Sequence, residues 1–214
     1  MTRRRWIALS TALGILLAAA ITTAAVTRGS GHNEAEDSPV LAPPTTPSTV
    51  TATTHRTTTT FKLPQPDAPP ADPYAPTPIV QVGVIEIPKI GLVHQVYEGI
   101  TLTVIDHGPG HWPGSAMPCQ RGNTVFPGHR VTHSHPFLNL DQVAVGDQIV
   151  FHMPGHDCVY AATGTQIVSP SDLWVTDPTP TPTVTLIACH PKHSAAQRIV
   201  VKGKLIADIR RPGT

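Results

Sequence analysis

Proline occupies 24 of the 214 positions in this chain, roughly double the usual ~5%. It has no backbone N–H and a fixed φ, so prolines at this density cannot be spread through helices or central strands. A long helical bundle is therefore excluded, and linkers and turns must take up most of the prolines. Pro64, Pro66, Pro69, Pro70, Pro73, Pro76 and Pro78 follow one another closely, after a threonine-rich stretch from Thr45 to Thr60. Residues 28–78 show almost no aliphatic periodicity and cannot bury enough apolar surface to offset their ordering entropy. They predict a disordered stalk with polyproline-II character, whose Ser/Thr/Pro composition also suits O-glycosylation.

The segment before the stalk reads as an address. Arg3, Arg4 and Arg5 precede an uncharged run from Trp6 to Val26. At about 21 residues, that run spans ~31 Å as a helix, enough to cross a hydrocarbon core. Arginines on its N-terminal flank favour a cytoplasmic start, so residues 1–27 are expected to form a single transmembrane anchor with the rest of the chain outside. A cleaved signal peptide is the alternative, since Ala18, Ala19, Ala20, Ala24 and Ala25 supply small residues for a cleavage site. Both readings export the remainder.

Residues 79–208 are left for one folded domain. Their apolar segments are short and β-branched: Val82 to Ile90 interrupted at Pro88, Thr124 to Phe126, Gln148 to His152, Val184 to Ala188 and Arg198 to Ile206. Val159-Tyr160 and Gln166-Ile167-Val168 bracket Thr163-Gly164 as two further strands about a turn. Runs of this length between Gly, Pro, Asp and Asn predict an all-β sandwich or barrel. One helical turn is expected around Phe137 to Gln142, with Pro136 near its start. Lys+Arg total 15 against 14 Asp+Glu, a net charge of +1, which gives no basis for nucleic-acid binding.

Three residues stand out chemically. Cys189 ends the apolar run Thr185 to Ala188 and is followed by His190-Pro191, at a strand's exit where a substrate can reach it. A thiol near pKa ~8.5 is mostly protonated at neutral pH and needs a basic or cationic partner to act as a nucleophile. His129 follows the strand Asn123 to Phe126 and the turn Pro127-Gly128. Arg198 opens the last strand, and its guanidinium can donate several hydrogen bonds to a developing oxyanion. For each residue taken singly, a structural role is the simpler reading. A zinc site drawn from His129, His133, His135, Cys189, His190 and His193 is another alternative, although no H-E-x-x-H or C-x-x-C framework accompanies them.

Taken in order, the motifs resemble those of the sortases, the membrane-anchored cysteine transpeptidases of Gram-positive bacteria, and most of all the class E sortases of actinobacteria. They are Ile85-Glu86-Ile87-Pro88-Lys89-Ile90-Gly91, Val96-Tyr97-Glu98-Gly99, Gly108-Pro109-Gly110-His111-Trp112-Pro113-Gly114 and Gly128-His129-Arg130 with Thr132-His133 and Pro136-Phe137. Leu140-Asp141 before Gly146-Asp147, Thr185-Leu186-Ile187-Ala188-Cys189-His190-Pro191, and Ser194 with Gln197-Arg198-Ile199-Val200-Val201 complete the set. The resemblance covers nearly all of the folded domain and implies an eight-stranded β-barrel with short helices, working without cofactor or metal. It implies Cys189 as nucleophile, His129 as general acid/base and Arg198 as the substrate-positioning and oxyanion-stabilising residue.

The implied partners are surface proteins ending in a Leu-Ala-x-Thr-Gly or Leu-Pro-x-Thr-Gly signal and an amine on a peptidoglycan precursor or pilin. The implied location is the outer face of the plasma membrane. One departure is Ala188, where the family commonly has Thr or Ser. A catalytically silent peptide-binding barrel and a zinc-dependent cell-wall hydrolase are the competing functions. With Cys189 set aside as catalytic, an oxidising compartment makes Cys119 and Cys158 candidates for a disulfide, the alternative being that one or both are buried as small apolar residues.

Overall fold

β-branched and aromatic runs separated by turn residues form eight strands in the computed structural model, which describes residues 61–212. The strands are β1 (Gln81–Ile87), β2 (Leu92–Glu98), β3 (Gly110–His111), β4 (Asn123–Pro127), β5 (Gln148–Met153), β6 (His156–Val168), β7 (Thr183–His190) and β8 (Gln197–Arg210). They make one sheet in the order β3-β2-β1-β5-β6-β8-β7-β4. The sheet curls until its two edges approach. Trp112 N–H, just past β3, donates to Val125 C=O in β4 at 2.8 Å, and Ala116 N–H donates to Asn123 C=O at 3.1 Å. The result is a nearly closed all-β barrel filled by side chains such as Ile85, Phe126, Phe151, Tyr160, Leu186 and Ile199.

Only short helical pieces interrupt the strands. They are α1 (Leu102–Ile105) and 3-10 turns at Pro88–Ile90, Leu140–Gln142 and Leu173–Thr176. Pro88, which lacks an N–H for the ladder, ends β1 and opens the first of these turns. The predicted turn near Phe137 is found as the 3-10 turn Leu140–Gln142.

Two expectations are corrected. Thr163-Gly164 does not reverse the chain. β6 runs straight through it, absorbing Thr163 as the extra residue between the pairs Ala162–Gly203 and Gly164–Lys202 with β8. A bulge suffices there because β8 is a 14-residue partner that continues to pair on both sides. The disordered-stalk expectation also fails for residues 61–78, which lie against the barrel. Trp112 Nε1–H donates to Asp67 C=O at 2.8 Å, Asp67 N–H donates to Pro113 C=O at 2.8 Å, and Leu102 N–H donates to Pro73 C=O at 2.7 Å. Proline-rich chain has carbonyl acceptors without internal partners, and here the barrel supplies the donors. The expected anchor over 1–27 and the stalk over 28–60 lie outside the described residues. Among the described residues, no helix is long and apolar enough to cross a membrane.

Cys119 and Cys158 form a disulfide with Cα atoms 5.4 Å apart. Beneath it, the buried Tyr160 hydroxyl accepts a hydrogen bond from Cys119 N–H at 2.8 Å. Burial pushes the Tyr160 phenol up to about 12.

Candidate active site

Strand alternation selects which residues share a face. On β7, Leu186 and Ala188 point into the barrel core, while Ile187 belongs to a second apolar cluster outside it with Val125 of β4, Val200 of β8 and Val175. β7 is thus covered on both faces, as its continuous apolar sequence requires. With a period of two, Cys189 shares the outer face with Ile187, and Arg198 shares it with Val200. Cys189 and Arg198 are direct partners across the antiparallel β7/β8 pair, a placement that sets Cβ atoms ~4.5–5.5 Å apart.

β4 runs parallel to β7 on the other side, with Pro127 opposite Ile187. Gly128 N–H extends that ladder to Ile187 C=O at 2.9 Å. Continuing the register places His129 alongside Cys189. Gly128 is required here because a Cβ would lie 2.8 Å from the Phe137 ring.

His129, Cys189 and Arg198 therefore line one cavity of about 350 Å³ on the outer face of the barrel wall. Pro69, Pro70 and Pro73 of the docked N-terminal strap form part of its rim, and Leu173 and Val175 form another. Cys189 is the free cysteine among the described residues and is partly exposed. The Arg198 Nη1 group donates to Ala195 C=O and Gln197 C=O, each at 3.0 Å. These two bonds fix the guanidinium plane, and among the described residues the Nε and Nη2 donors are left for another partner.

Sequence reasoning misses three supporting residues. Asp106, which caps the C-terminal end of α1, places Oδ1 2.7 Å from His129 Nε2. It precedes His129 by 23 positions, and no spacing rule links them. Arg130, only 2% exposed, pairs with Asp141 at 2.9 Å. Its Nη1 donates to His190 Nδ1 at 2.9 Å and approaches Cys189 C=O at 3.4 Å. Arg130 therefore ties the exit of β4, which carries His129, to the end of β7, which carries Cys189. Asn123, buried at 2%, donates through Nδ2 to Val175 C=O and Asp177 C=O and accepts from Thr185 Oγ1 at 2.8 Å. It fastens the 3-10 turn Leu173–Thr176 over the cavity.

The residues named for the alternative zinc site do not gather at one point. His133 stacks on His129 with ring centroids 4.7 Å apart. His190 turns to Arg130 instead, and His135 Nδ1 pairs with the His133 carbonyl.

A curled all-β wall that brings a thiol, an imidazole and a guanidinium to one apolar cavity provides the groups of a cysteine acyl-transfer enzyme. The sortase domain matches residues 85–206, and the chain belongs to the sortase family, whose members are cysteine transpeptidases. It is 33% identical over 141 residues to sortase SrtE1 of Streptomyces coelicolor, covering 58% of this chain and 40% of that one. It is 28% identical over 128 residues to sortase D of Bacillus subtilis, covering 58% of this chain and 63% of that one. The matches thus span less than two thirds of either relative's length. The crystal structure of sortase E1 from Streptomyces coelicolor with a tripeptide in its active site superposes with a TM-score of 0.58 at 27% identity, covering 62% of this chain and 91% of that one.

Proposed function

We propose that the chain is a class E-like sortase, membrane-anchored with its barrel outside the cell. In this reading it cleaves a C-terminal sorting signal between Thr and Gly and joins the Thr to an amine of a cell-wall precursor or pilin. The observation that carries the proposal is the convergence of Cys189, His129 and Arg198 on one cavity through the β4/β7 and β7/β8 registers.

In the first half-reaction the Cys189 thiolate attacks the Thr carbonyl carbon. Arg198 Nε–H and Nη2–H donate to the oxyanion or to the adjacent substrate carbonyl. His129 protonates the leaving Gly nitrogen, the C–N bond breaks, and the acyl group stays on sulfur as a thioester. In the second half His129 takes a proton from the incoming amine, whose nitrogen displaces the thiolate. Asp106, on Nε2, holds the His129 ring and stabilises its cationic form, which is present before the first half and restored after the second. Ala188 brings no hydroxyl to the site, so the oxyanion depends on Arg198 and on backbone N–H groups near Cys189.

Mass spectrometry of the products from a Leu-Ala-x-Thr-Gly peptide and a diaminopimelate- or glycine-based amine tests this reading. The expected product is the amine joined to the peptide through Thr, absent with Cys189→Ala. Peptide binding without cleavage would instead indicate the silent barrel.

A further inference from the structure

His133 has no part in the chemistry above, yet its placement is specific. Its backbone sits at φ +51, the left-handed region that residues other than glycine seldom occupy. Its ring lies over His129 with planes 23° apart, and its Nδ1 is 3.4 Å from Asp106 Oδ1. That same oxygen is 2.7 Å from His129 Nε2. Two imidazoles thus turn one ring nitrogen each toward a single carboxylate, and the three ligand atoms all lie within 4.8 Å of one another.

The geometry points to Asp106, His129 and His133 as a site for a divalent d-block cation such as Zn²⁺, whose binding reversibly silences the enzyme. Two imidazoles and a carboxylate are the ligands of an open zinc site, with a fourth position left for water. Tetrahedral zinc with bonds of ~2.0–2.2 Å sets its ligand atoms about 3.3–3.6 Å apart. The Asp106–His133 separation already meets this. The Asp106–His129 contact must open by less than ~1 Å as a hydrogen bond is exchanged for two metal bonds, and the exposed His133 ring must turn from its stacked position on His129 so that both ring planes contain the ion.

The ligands stand on positioned backbone. Asp106 N–H donates to Leu102 C=O at 2.9 Å, and the His129 carbonyl accepts from Phe137 N–H at 3.1 Å. The His133 side chain is 47% exposed, which gives the ion a path from solvent.

The silencing half of the inference rests on His129 being the acid/base. A metal on Nε2 leaves Nδ1 as the ring's one protonation site, so the imidazole can no longer pass between neutral and doubly protonated forms. Proton delivery to the leaving nitrogen and removal from the incoming one would both stop. The ion inhibits here, in contrast to the zinc hydrolase considered from the sequence.

The test uses the full-length, untagged chain in detergent. Calorimetric titration with ZnCl₂ on the Cys189→Ala protein, which removes the thiol as a ligand, is expected to show one ion bound per chain. His133→Asn, which the left-handed backbone tolerates, should weaken that binding by ~10–100-fold. In peptide cleavage, Zn²⁺ should inhibit the wild type, with recovery on adding chelator. The His133→Asn enzyme should turn over normally and need at least ~10-fold more Zn²⁺ for the same inhibition. Unchanged Zn²⁺ affinity in His133→Asn, or binding lost with Cys189, overturns the site. Binding that depends on His133 but leaves turnover intact upholds the site and overturns the acid/base assignment of His129.

Discussion

Arg198 shows how a single side chain is prepared for chemistry. Its Nη1 is held by two backbone carbonyls, which leaves the Nε–Nη2 edge as a planar fork on a residue that lines the cavity. A lysine would keep the charge but supply a point donor without that geometry. Arg198→Lys is accordingly expected to lower kcat/KM by ~100-fold or more, the scale of a lost oxyanion donor. Steady-state cleavage of a quenched sorting peptide checks this, and a near-wild-type rate would mean that charge alone matters. Cys189, His129 and Arg198 are legible in the sequence as candidates because each stands where a strand meets a loop. Asp106 and Arg130 are not, because the partners that give them a role, His129 and His190, are near in space but 23 and 60 positions away in sequence.

At the scale of elements, β4 and β7 together build the site. Their parallel register carries His129 to Cys189, and Asn123 at the opposite end of β4 fixes the turn that walls the cavity. Asn123→Ala removes bonds to two carbonyls and strands the Thr185 hydroxyl. A stability loss of ~2 kcal/mol or more is expected from buried groups left unpaired. Denaturant midpoints give that loss, and a raised KM for the peptide is expected with it. Loss of stability with unchanged KM would show that the wall holds its position without this anchor.

The strands themselves are largely readable from β-branched runs and turn residues. β2 is less so, because its buried Leu92 and Val96 are separated by exposed Val93, half-buried His94 and exposed Gln95 rather than joined in an apolar run. The continuous β6 is also hidden. Thr163-Gly164 is a turn signal in sequence, and only pairing with the long β8 converts it to a bulge.

For the whole molecule, the barrel is closed by hydrogen bonds at its seam and cross-linked by Cys119–Cys158. The bridge closes a loop of 39 residues, for which the chain-entropy model gives an upper stabilisation of about 4 kcal/mol. Replacing both cysteines by serine should lower the unfolding free energy by up to that amount and leave Cys189 chemistry in place. Thiol titration of the denatured, non-reduced wild type should find one free thiol, and three would contradict the bridge.

On the far side of the barrel, His152 lies between Glu86 and Asp157 at 2.9 Å from each. The hydrogen bond to Glu86, opposed by partial burial and helped by Asp157, raises its pKa above the usual histidine value. That contribution to stability is full in acid and fades as pH rises through the raised value. The strap at residues 61–78 extends the folded unit beyond what composition suggests. Proline content reports how little a segment can pair with itself, but it does not report the donors that Trp112 and Leu102 offer it from the barrel.

The central claim is that Cys189 carries the acyl group through the reaction. Intact-mass measurement of the enzyme quenched in acid shortly after mixing with a sorting peptide, without added amine, tests it most directly. The account predicts an adduct equal to the peptide through its Thr. That adduct should map to Cys189, disappear on addition of an amine acceptor and be absent from Cys189→Ala. An adduct on another residue, or peptide cleavage by Cys189→Ala at the wild-type rate, would contradict it.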